Sequence, residues 1–277
     1  MNFSIGNICF ALDEALAWQL PHVLSFCTGN APEAECAPID SPLRPGRCVF
    51  DSGLTWRLHE MGDAYAICMY RGAANTVYQT LGLSRDFLTA QLAPVDTDDL
   101  ASDPGFSLDG PLFQLWVNFL LMQSRGVVLH ALGVKVNGEA HLFCGPSGVG
   151  KTTLGRLIAD AGMGTILSDD RIIVRREGQT YCAYGTPWNG EQAFHSAENA
   201  PVRSVHFLRQ FSSCDIRKIS RADAATRLFA LSSVAGWPMD GAINFVLDFT
   251  AHLAGAASCD LFGFTPDFRA LEALGWR

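Results

Sequence analysis

The apolar and polar positions divide the chain into an N-terminal region of short strands and a C-terminal region of strands and helices. In the first region, two pairs of apolar segments flank short glycine-containing turns, and each pair predicts a hairpin. The pairs are Phe3–Ile5 with Ile8–Phe10, and Thr55–His59 with Ala64–Tyr70. Between them lies a stretch without periodicity that contains Pro32, Pro38, Pro42 and Pro45, and this stretch is predicted to be a surface loop.

An acidic, turn-rich segment at residues 96–104 is predicted to be a linker. We therefore expect two domains: a small β-rich domain over residues 1–105, suited to docking a substrate or partner, and a larger one over residues 106–277. Within Pro111–Gln123, apolar residues recur at helical spacing. This segment is predicted to be an amphipathic helix that packs on the second domain.

A third hairpin is predicted at the start of the second domain. The apolar stretch that ends at Val136 and the segment Glu139–Cys144 flank Asn137-Gly138, a pair that favours a type I′ turn because both positions need a positive φ. The strand over Glu139–Cys144 is thus expected to pair antiparallel with its predecessor, unlike the corresponding strand of a doubly wound nucleotide-binding domain. The predicted fold class is α/β with an α+β tendency.

Further elements follow along the chain. A helix over Lys151–Ala161 is predicted to end at Gly162, and a last helix is predicted to start at Thr265-Pro266. The segments between them predict strands at Thr165–Leu167, Ile172–Arg175, Thr180–Tyr184, Val202–Leu208 and Cys259–Phe264, and helices from Ser220 to Leu231 and over Gly241–Leu253.

The segment between Cys144 and Leu154 carries the clearest chemical motif. It matches G-x-x-x-x-G-K-[ST], follows a predicted strand and opens a predicted helix, which is the context of a phosphate-binding P-loop. Its glycines let backbone N–H groups face phosphates, its lysine contributes a positive charge, and its first threonine is a candidate Mg²⁺ ligand. The candidate nucleotide-binding residues are Gly145, Pro146, Ser147, Gly148, Val149, Gly150, Lys151, Thr152 and Thr153.

Two adjacent acids, Asp169 and Asp170, end the next predicted strand. A strand that ends in acids near a P-loop is a usual source of metal ligands. Since neighbouring side chains point in different directions, one acid is a candidate Mg²⁺ ligand and the other a candidate proton acceptor for an attacking hydroxyl. The alternative is a solvated turn.

Other residues have weaker patterns. His130 lies in an apolar strand, where a histidine is either a packed core residue or part of a site. The loop Gly185–Glu191 contains Trp188, a candidate contact for a base or substrate, and Glu191, a candidate metal ligand; the alternative is an ordinary turn. Candidate phosphate contacts are Arg171, Arg203 and Arg209.

Composition limits the class of protein. The 277 residues carry a net charge of −8, which disfavours binding to nucleic acid or to an anionic membrane. The nine cysteines are odd in number and form no C-x-x-C pair, which is typical of reduced thiols. Met1–Leu20 has no basic residue and does not resemble a signal peptide. We expect a cytoplasmic protein, with a homo-oligomer left open.

The order of these features resembles a known family. His130, a hairpin, the loop Gly145–Thr153, a short helix and the sequence Leu167-Ser-Asp-Asp170 are similar to HPr kinase/phosphorylase, and more so to shorter HPr-kinase-like proteins that include peptide-modifying kinases. ATP-dependent phosphoenolpyruvate carboxykinase is a more distant resemblance. The similarity covers residues 112–207 well and the N-terminal region hardly at all.

The resemblance implies a mixed-sheet P-loop kinase core and roles for several residues. Asp170 would be the general base for a serine hydroxyl, Asp169 and Thr152 would lie around Mg²⁺, and His130 would lie close to the transferred phosphate. Glu191 would be a further acidic residue of the metal site. The family's long glycine-rich sequence after the paired acids is absent, and Gly185–Glu191 stands in its place.

The function expected from these features is a kinase that uses ATP and Mg²⁺. It would transfer the γ-phosphate to a serine or similar hydroxyl of a peptide, protein or small molecule, with Asp170, His130 and Lys151 as catalytic residues. A small-metabolite kinase on the same scaffold is a close alternative. A nucleotide-binding regulator without turnover is an alternative of another class.

Overall fold

The computed structural model describes residues 1–17, 20–71, 76–94, 111–123, 125–188, 190, 192–211, 213–233 and 241–276. These residues form two compact units, the first within Met1–Leu120 and the second within Leu121–Val234 and Gly241–Arg277. The predicted linker at 96–104 and the domain boundary at residue 105 lie outside the described residues.

The first unit contains an eight-stranded sheet with the strand order β1-β2-β3-β8-β7-β6-β5-β4. Its strands are β1 (Asn2–Ile5), β2 (Ile8–Leu12), β3 (Ala34–Pro38), β4 (Arg47–Asp51), β5 (Trp56–Met61), β6 (Ala64–Arg71), β7 (Thr76–Ser84) and β8 (Thr89–Ala93). Its helices are α1 (Glu14–Ala17), a 3₁₀ turn (Pro21–Phe26) and α2 (Pro111–Met122). Both predicted hairpins are confirmed, because β1 pairs antiparallel with β2 and β5 pairs antiparallel with β6.

The proline-rich stretch was predicted wrongly as loop throughout, because it contains strand β3. This strand pairs in parallel with both β2 and β8. Its alternation is short but real, since Ala34 and Cys36 are buried while Glu35 is exposed. Pro38 is the last residue of the strand, and the next residue, Ile39, donates its N–H to the Leu92 carbonyl. A proline is tolerated at the end of a strand, where its missing N–H interrupts no ladder.

Helix α2 occupies nearly the predicted span, but the predicted packing on the second domain is wrong. The Phe113 and Trp116 rings contact the Phe10 ring, with centroids 5.7 and 5.2 Å apart. The indole N–H of Trp116 donates to the carbonyl of Phe87 at 2.7 Å. The helix therefore packs on the first unit. Helical periodicity identifies an apolar face, but the residues that cover this face are aromatic groups distant in the sequence.

The second unit contains a mixed sheet with the strand order β10-β9-β12-β13-β14-β16-β15, and β11 pairs with β9 beside it. Its strands are β9 (Val127–Val136), β10 (Glu139–Cys144), β11 (Thr165–Ser168), β12 (Arg171–Glu177), β13 (Thr180–Tyr184), β14 (Asn199–Gln210), β15 (Asp215–Lys218) and β16 (Ser258–Phe264). Its helices are α3 (Lys151–Asp160), α4 (Arg221–Leu231), α5 (Ala242–Ala256) and α6 (Arg269–Ala273).

The hairpin between β9 and β10 forms as predicted. Asn137 and Gly138 have φ values of 52° and 81°, and β9 and β10 are antiparallel. The other edge of β10 pairs in parallel with β14, so this strand has one neighbour of each direction. The helices and mixed sheets agree with the predicted α/β class with an α+β tendency.

The helix ends give one confirmation and one correction. Gly162 follows α3 with a φ of 64°, as expected for a glycine after a helix. The last helix does not start at Thr265-Pro266, because α6 begins at Arg269. The carboxylate of Asp267 accepts the backbone N–H of Arg269 and pairs with its guanidinium, so the turn before the helix is held by this aspartate.

One prediction about the whole chain, that of reduced thiols, has a counterpart in the described residues. All nine cysteines are free thiols, which agrees with the predicted absence of a disulfide framework. Among the helices that the structure describes, none has both the length and the apolar character needed to cross a bilayer.

A chain of hydrogen bonds that is buried except at its first residue, His141, crosses three neighbouring strands of the second unit. Nδ1 of His141 lies 2.8 Å from the hydroxyl of Ser204, which lies 2.7 Å from Nε2 of His206. Nδ1 of His206 lies 2.6 Å from the carboxylate of Asp260. Burial, followed by the nearby His206 and Arg203, lowers the pKa of His141 to about 4. His141 therefore stays neutral in the folded protein at pH values where a free histidine takes up a proton.

This difference predicts a pH dependence of stability. The unfolded chain binds a proton at His141 near pH 6.5 and the folded chain only near pH 4, so the contribution is fully present above pH 6.5 and declines as the pH falls toward 4. The upper limit is about 3 kcal/mol, which solvent screening at this half-buried site reduces. Urea unfolding of the wild type and of His141→Asn at pH 7 and pH 4.5 measures it. A loss of stability that is equally steep in His141→Asn would contradict the assignment to His141.

Candidate functional site

The loop between β10 and α3 has a backbone that depends on glycine at two positions. Gly148 and Gly150 have φ values of 78° and 116°, where a side chain is strained. A Cβ on Gly150 would also lie 2.8 Å from Cζ of Phe264. Helix α3 begins directly after Gly150, so the N–H groups of its first turn have no partner within the helix. The loop and the helix start together form a natural site for an anion.

Lys151 is buried beneath this loop, with 6% of its surface exposed. Its ammonium donates to the carbonyl oxygens of Gly145, at 2.7 Å, and Pro146, at 3.1 Å. Burial lowers the pKa of Lys151, against the attraction of nearby groups that include Asp170. An ammonium has three N–H donors, so these two bonds leave one donor for a ligand.

Asp170 and His130 form a pair beside the loop. Nε2 of His130 lies 2.9 Å from one oxygen of Asp170, and Nε of Arg171 lies 3.5 Å from the other. Burial acts to raise the pKa of Asp170, but the hydrogen bond from His130 and the charges of Arg171 and Lys151 outweigh it and lower this pKa. Asp170 is therefore an ionised carboxylate at neutral pH, and His130 lies at the pocket rather than in the buried core.

Asp169 makes different contacts from its neighbour and holds a loop. It is 3% exposed, and its two oxygens accept the backbone N–H groups of Gly190, at 2.6 Å, and Gln192, at 3.2 Å. The hydroxyl of Ser168 donates to the carbonyl of Trp188 at 2.9 Å, which ties the same loop to the end of β11. A metal ion at Asp169 would bind the carboxylate lone pairs that the N–H groups of Gly190 and Gln192 leave free.

These groups face one pocket of about 610 Å³ in the second unit. Its lining includes all three predicted catalytic residues, Asp170, His130 and Lys151, and two of the three predicted metal ligands, Thr152 and Asp169. The rest of the lining is Ser147, Gly148, Gly150, Thr153 and Gly190. Glu191, the third predicted metal ligand, lies outside the described residues.

The three predicted nucleotide-binding residues that do not line this pocket contact other residues of the loop. Gly145 and Pro146 accept the hydrogen bonds of Lys151, and the side chain of Val149 packs against Gly145. Among the residues with described placement, no cluster of three or more metal-ligating side chains occurs. A Mg²⁺ site completed by phosphates needs only one or two protein groups, and Thr152 and Asp169 are residues of that kind.

The three candidate arginines and Trp188 do not lie together at the pocket. Arg171 contacts Asp170, whereas Arg209 pairs with Asp215 at 2.6 Å. Arg203 pairs with Glu139 at the end of β10 opposite the loop, so it is not placed to contact phosphate there. Trp188 is buried and its ring is not a wall of the pocket.

The sequence interpretation missed two residues that shape the site. Ser168 is fully buried. Gly190 lies so close to Asp169 that a Cβ on Gly190 would lie 3.2 Å from the Asp169 carboxylate. A glycine in the loop after the paired acids indicates that another group approaches its backbone closely. The sequence does not indicate that this group is the carboxylate of Asp169.

No model of a known protein family matches the chain, and no curated protein matches it either.

The hydrogen bonds of Asp169 predict a structural role that can be separated from metal binding. Asp169→Ala leaves the N–H groups of Gly190 and Gln192 without their acceptor and should cost roughly 1–3 kcal/mol of stability. Asp169→Asn keeps one amide oxygen and should cost less. Urea unfolding in the absence of metal measures both, and equal stability of Asp169→Ala and the wild type would contradict this role.

Proposed function

We propose that this protein is a kinase of the HPr-kinase-like type, which binds ATP with Mg²⁺ and transfers the γ-phosphate to a hydroxyl of a peptide, a protein or a small molecule. The observation that carries the proposal is the juxtaposition of Lys151 with the His130–Asp170 pair in one pocket of about 610 Å³. A pure binding site needs the lysine but not an ionised carboxylate positioned by a histidine.

The phosphates fit the glycine-rich side of the pocket. The backbone at Gly148 and Gly150 has no side chain in the way, and the first turn of α3 offers N–H donors beside the ammonium of Lys151. The Thr152 hydroxyl and Asp169 are the residues that would hold Mg²⁺, which when bound neutralises charge on the phosphates. Fixed donors of this kind stabilise the charge that shifts during phosphoryl transfer.

Asp170 is the general base for the acceptor hydroxyl. As the hydroxyl oxygen forms its bond to the γ-phosphorus, the bond from that phosphorus to the β–γ bridging oxygen breaks, ADP departs with the electron pair, and Asp170 takes the hydroxyl proton. His130 holds one carboxylate oxygen by a hydrogen bond of 2.9 Å and thereby orients the other. A positioned base of this kind contributes about 10²- to 10⁴-fold to a rate.

A nucleotide-binding regulator is a second candidate, and the contacts of Asp169 favour it. This residue lines the pocket and also holds the loop at Gly190 and Gln192, so a ligand on one side is linked to a surface loop on the other. Binding of ATP without phosphate transfer to any acceptor would support the regulator over the kinase.

The acceptor can be found by incubating the protein with labelled ATP and Mg²⁺ in a cell extract, or with candidate peptides and metabolites, and identifying by mass spectrometry which molecule gains a phosphate. A kinase gives a labelled acceptor. A labelled acceptor that forms equally well with Lys151→Ala would contradict the proposed site.

Removing Lys151 should weaken ATP binding. Truncation of one partner of a buried charge pair costs about 2–5 kcal/mol, so Lys151→Ala should raise the Kd for ATP at least about 30-fold. Titration calorimetry measures this. Lys135→Ala, which removes an ammonium paired with Glu198 at 2.7 Å, is the matched control and should bind as the wild type does. Equal loss in both variants would argue against a specific role of Lys151.

Asp170→Asn separates binding from transfer. The amide keeps the shape but cannot take the proton, so ATP binding should remain within a few-fold while phosphate transfer to the identified acceptor falls about 10²- to 10⁴-fold. Asp160→Asn, an exposed change at the end of α3, is the control. Undiminished transfer by Asp170→Asn would exclude Asp170 as the base.

A further inference from the structure

A second, smaller pocket adjoins the first on the outer side of the glycine-rich loop. It has a volume of about 280 Å³ and shares Gly148, Gly150 and Thr153 with the larger pocket. Ligand pockets usually measure roughly 300–1,000 Å³, so this one suits a single ring system better than a whole ligand. Because the shared residues lie at the boundary, a molecule with its phosphates in the larger pocket can extend over them into the smaller one.

The far wall of this small pocket is aromatic. Phe264 is 6% exposed and lies directly under Gly150, whereas Phe211 is 46% exposed. Phe211 is held in place, because the guanidinium of Arg209 lies 4.4 Å from its ring centroid and its Cβ packs on the backbone of Gly263. Arg209 is in turn paired with Asp215 at 2.6 Å. A large aromatic ring is thus both exposed and fixed beside the pocket.

The polar side chain of Gln210 also lines this pocket. The amide nitrogen of Gln210 donates to the carbonyl of Gly148 at 3.0 Å, which fixes the side chain against the loop. An amide of this kind still has a carbonyl oxygen and a second N–H. These groups match the exocyclic donors and ring acceptors of a purine, while the phenyl ring of Phe211 offers a stacking face.

We propose that this pocket is the site for the base of the nucleotide, and that a purine stacks on Phe211 while its triphosphate lies in the loop. The inference rests on the proposed function and adds to it the residues that would distinguish a nucleoside triphosphate from inorganic triphosphate. Stacking of a base on an aromatic side chain contributes about 5- to 150-fold in affinity.

The test compares ATP, GTP, UTP and inorganic triphosphate by titration calorimetry on the full chain with Mg²⁺. Phe211→Ala should weaken ATP or GTP binding about 5- to 150-fold and leave inorganic triphosphate within about 2-fold. Phe211→Tyr keeps an aromatic face and should bind ATP as the wild type does. Phe268→Ala removes another exposed phenylalanine, 58% exposed and outside the pocket lining, and should change neither ligand.

The outcomes separate the inference from the proposed function. Wild-type protein that binds neither ATP nor triphosphate contradicts the proposed function itself. Wild-type protein that binds both equally well, or Phe211→Ala that binds ATP unchanged, overturns the base site while the phosphate site stands. An equal loss of ATP and triphosphate in Phe211→Ala, with unchanged urea stability, also overturns it, because Phe211 would then act on the phosphate loop rather than on a base. Equal affinity for UTP and the purine nucleotides would overturn the choice of a purine.

Discussion

Strand β9 is hydrogen-bonded to a neighbour on each side, and the rest of the site depends on this double pairing. On one side it pairs with β10, so that Ala131 lies opposite Cys144, the last residue before the glycine-rich loop. On the other side it pairs with β12, so that His130 lies opposite Arg171, the first residue after the paired acids. The N–H of Ala131 also donates to the carbonyl of Asp170 at 3.1 Å. One strand thereby brings together two segments that are distant in the sequence.

The register has a chemical consequence at the pocket. Side chains alternate along a strand, so a shift of one residue in β9 would turn His130 away from Asp170 and into the core. The tight turn at Asn137-Gly138 opposes such a shift, because both residues adopt the positive φ that a type I′ turn requires. The turn thus fixes the register of β9 against β10, while the pairing of β9 with β12 brings His130 within 2.9 Å of Asp170.

The pocket offers an anion fixed donors rather than a net positive charge, since its lining contains Asp169 and Asp170 as well as Lys151. The chain carries a net charge of −8, so phosphates are not attracted by the molecule as a whole. Lys151 is buried among backbone carbonyls, and Asp170 is held ionised by His130, Arg171 and Lys151. A phosphate ligand would need local donors that outweigh the long-range repulsion, and loop N–H groups and a helix N-terminus perform this role at phosphate sites.

Much of this site could be predicted from the sequence, because its signals are local. The loop motif, the Asn-Gly turn and the adjacent acids each occupy a few residues, and the order of elements between them leaves little choice of neighbours. The roles of the two acids required tertiary contacts, since nothing near Asp169 indicates that its carboxylate holds Gly190. The sequence did not predict which residues pack on α2, nor that β3 is a strand, for the same reason. The partners of the helix, Phe10 and Phe87, and the partner of the strand, β8, are distant in the sequence.

The most direct test of the central claim is a crystal structure of the full chain with Mg²⁺ and a non-hydrolysable ATP analogue. The account predicts that the β- and γ-phosphates lie within hydrogen-bonding distance of the Lys151 ammonium and the first turn of α3, with Asp170 facing the γ-phosphate. A nucleotide bound elsewhere, with the Lys151 ammonium still held only by the carbonyls of Gly145 and Pro146, would contradict it.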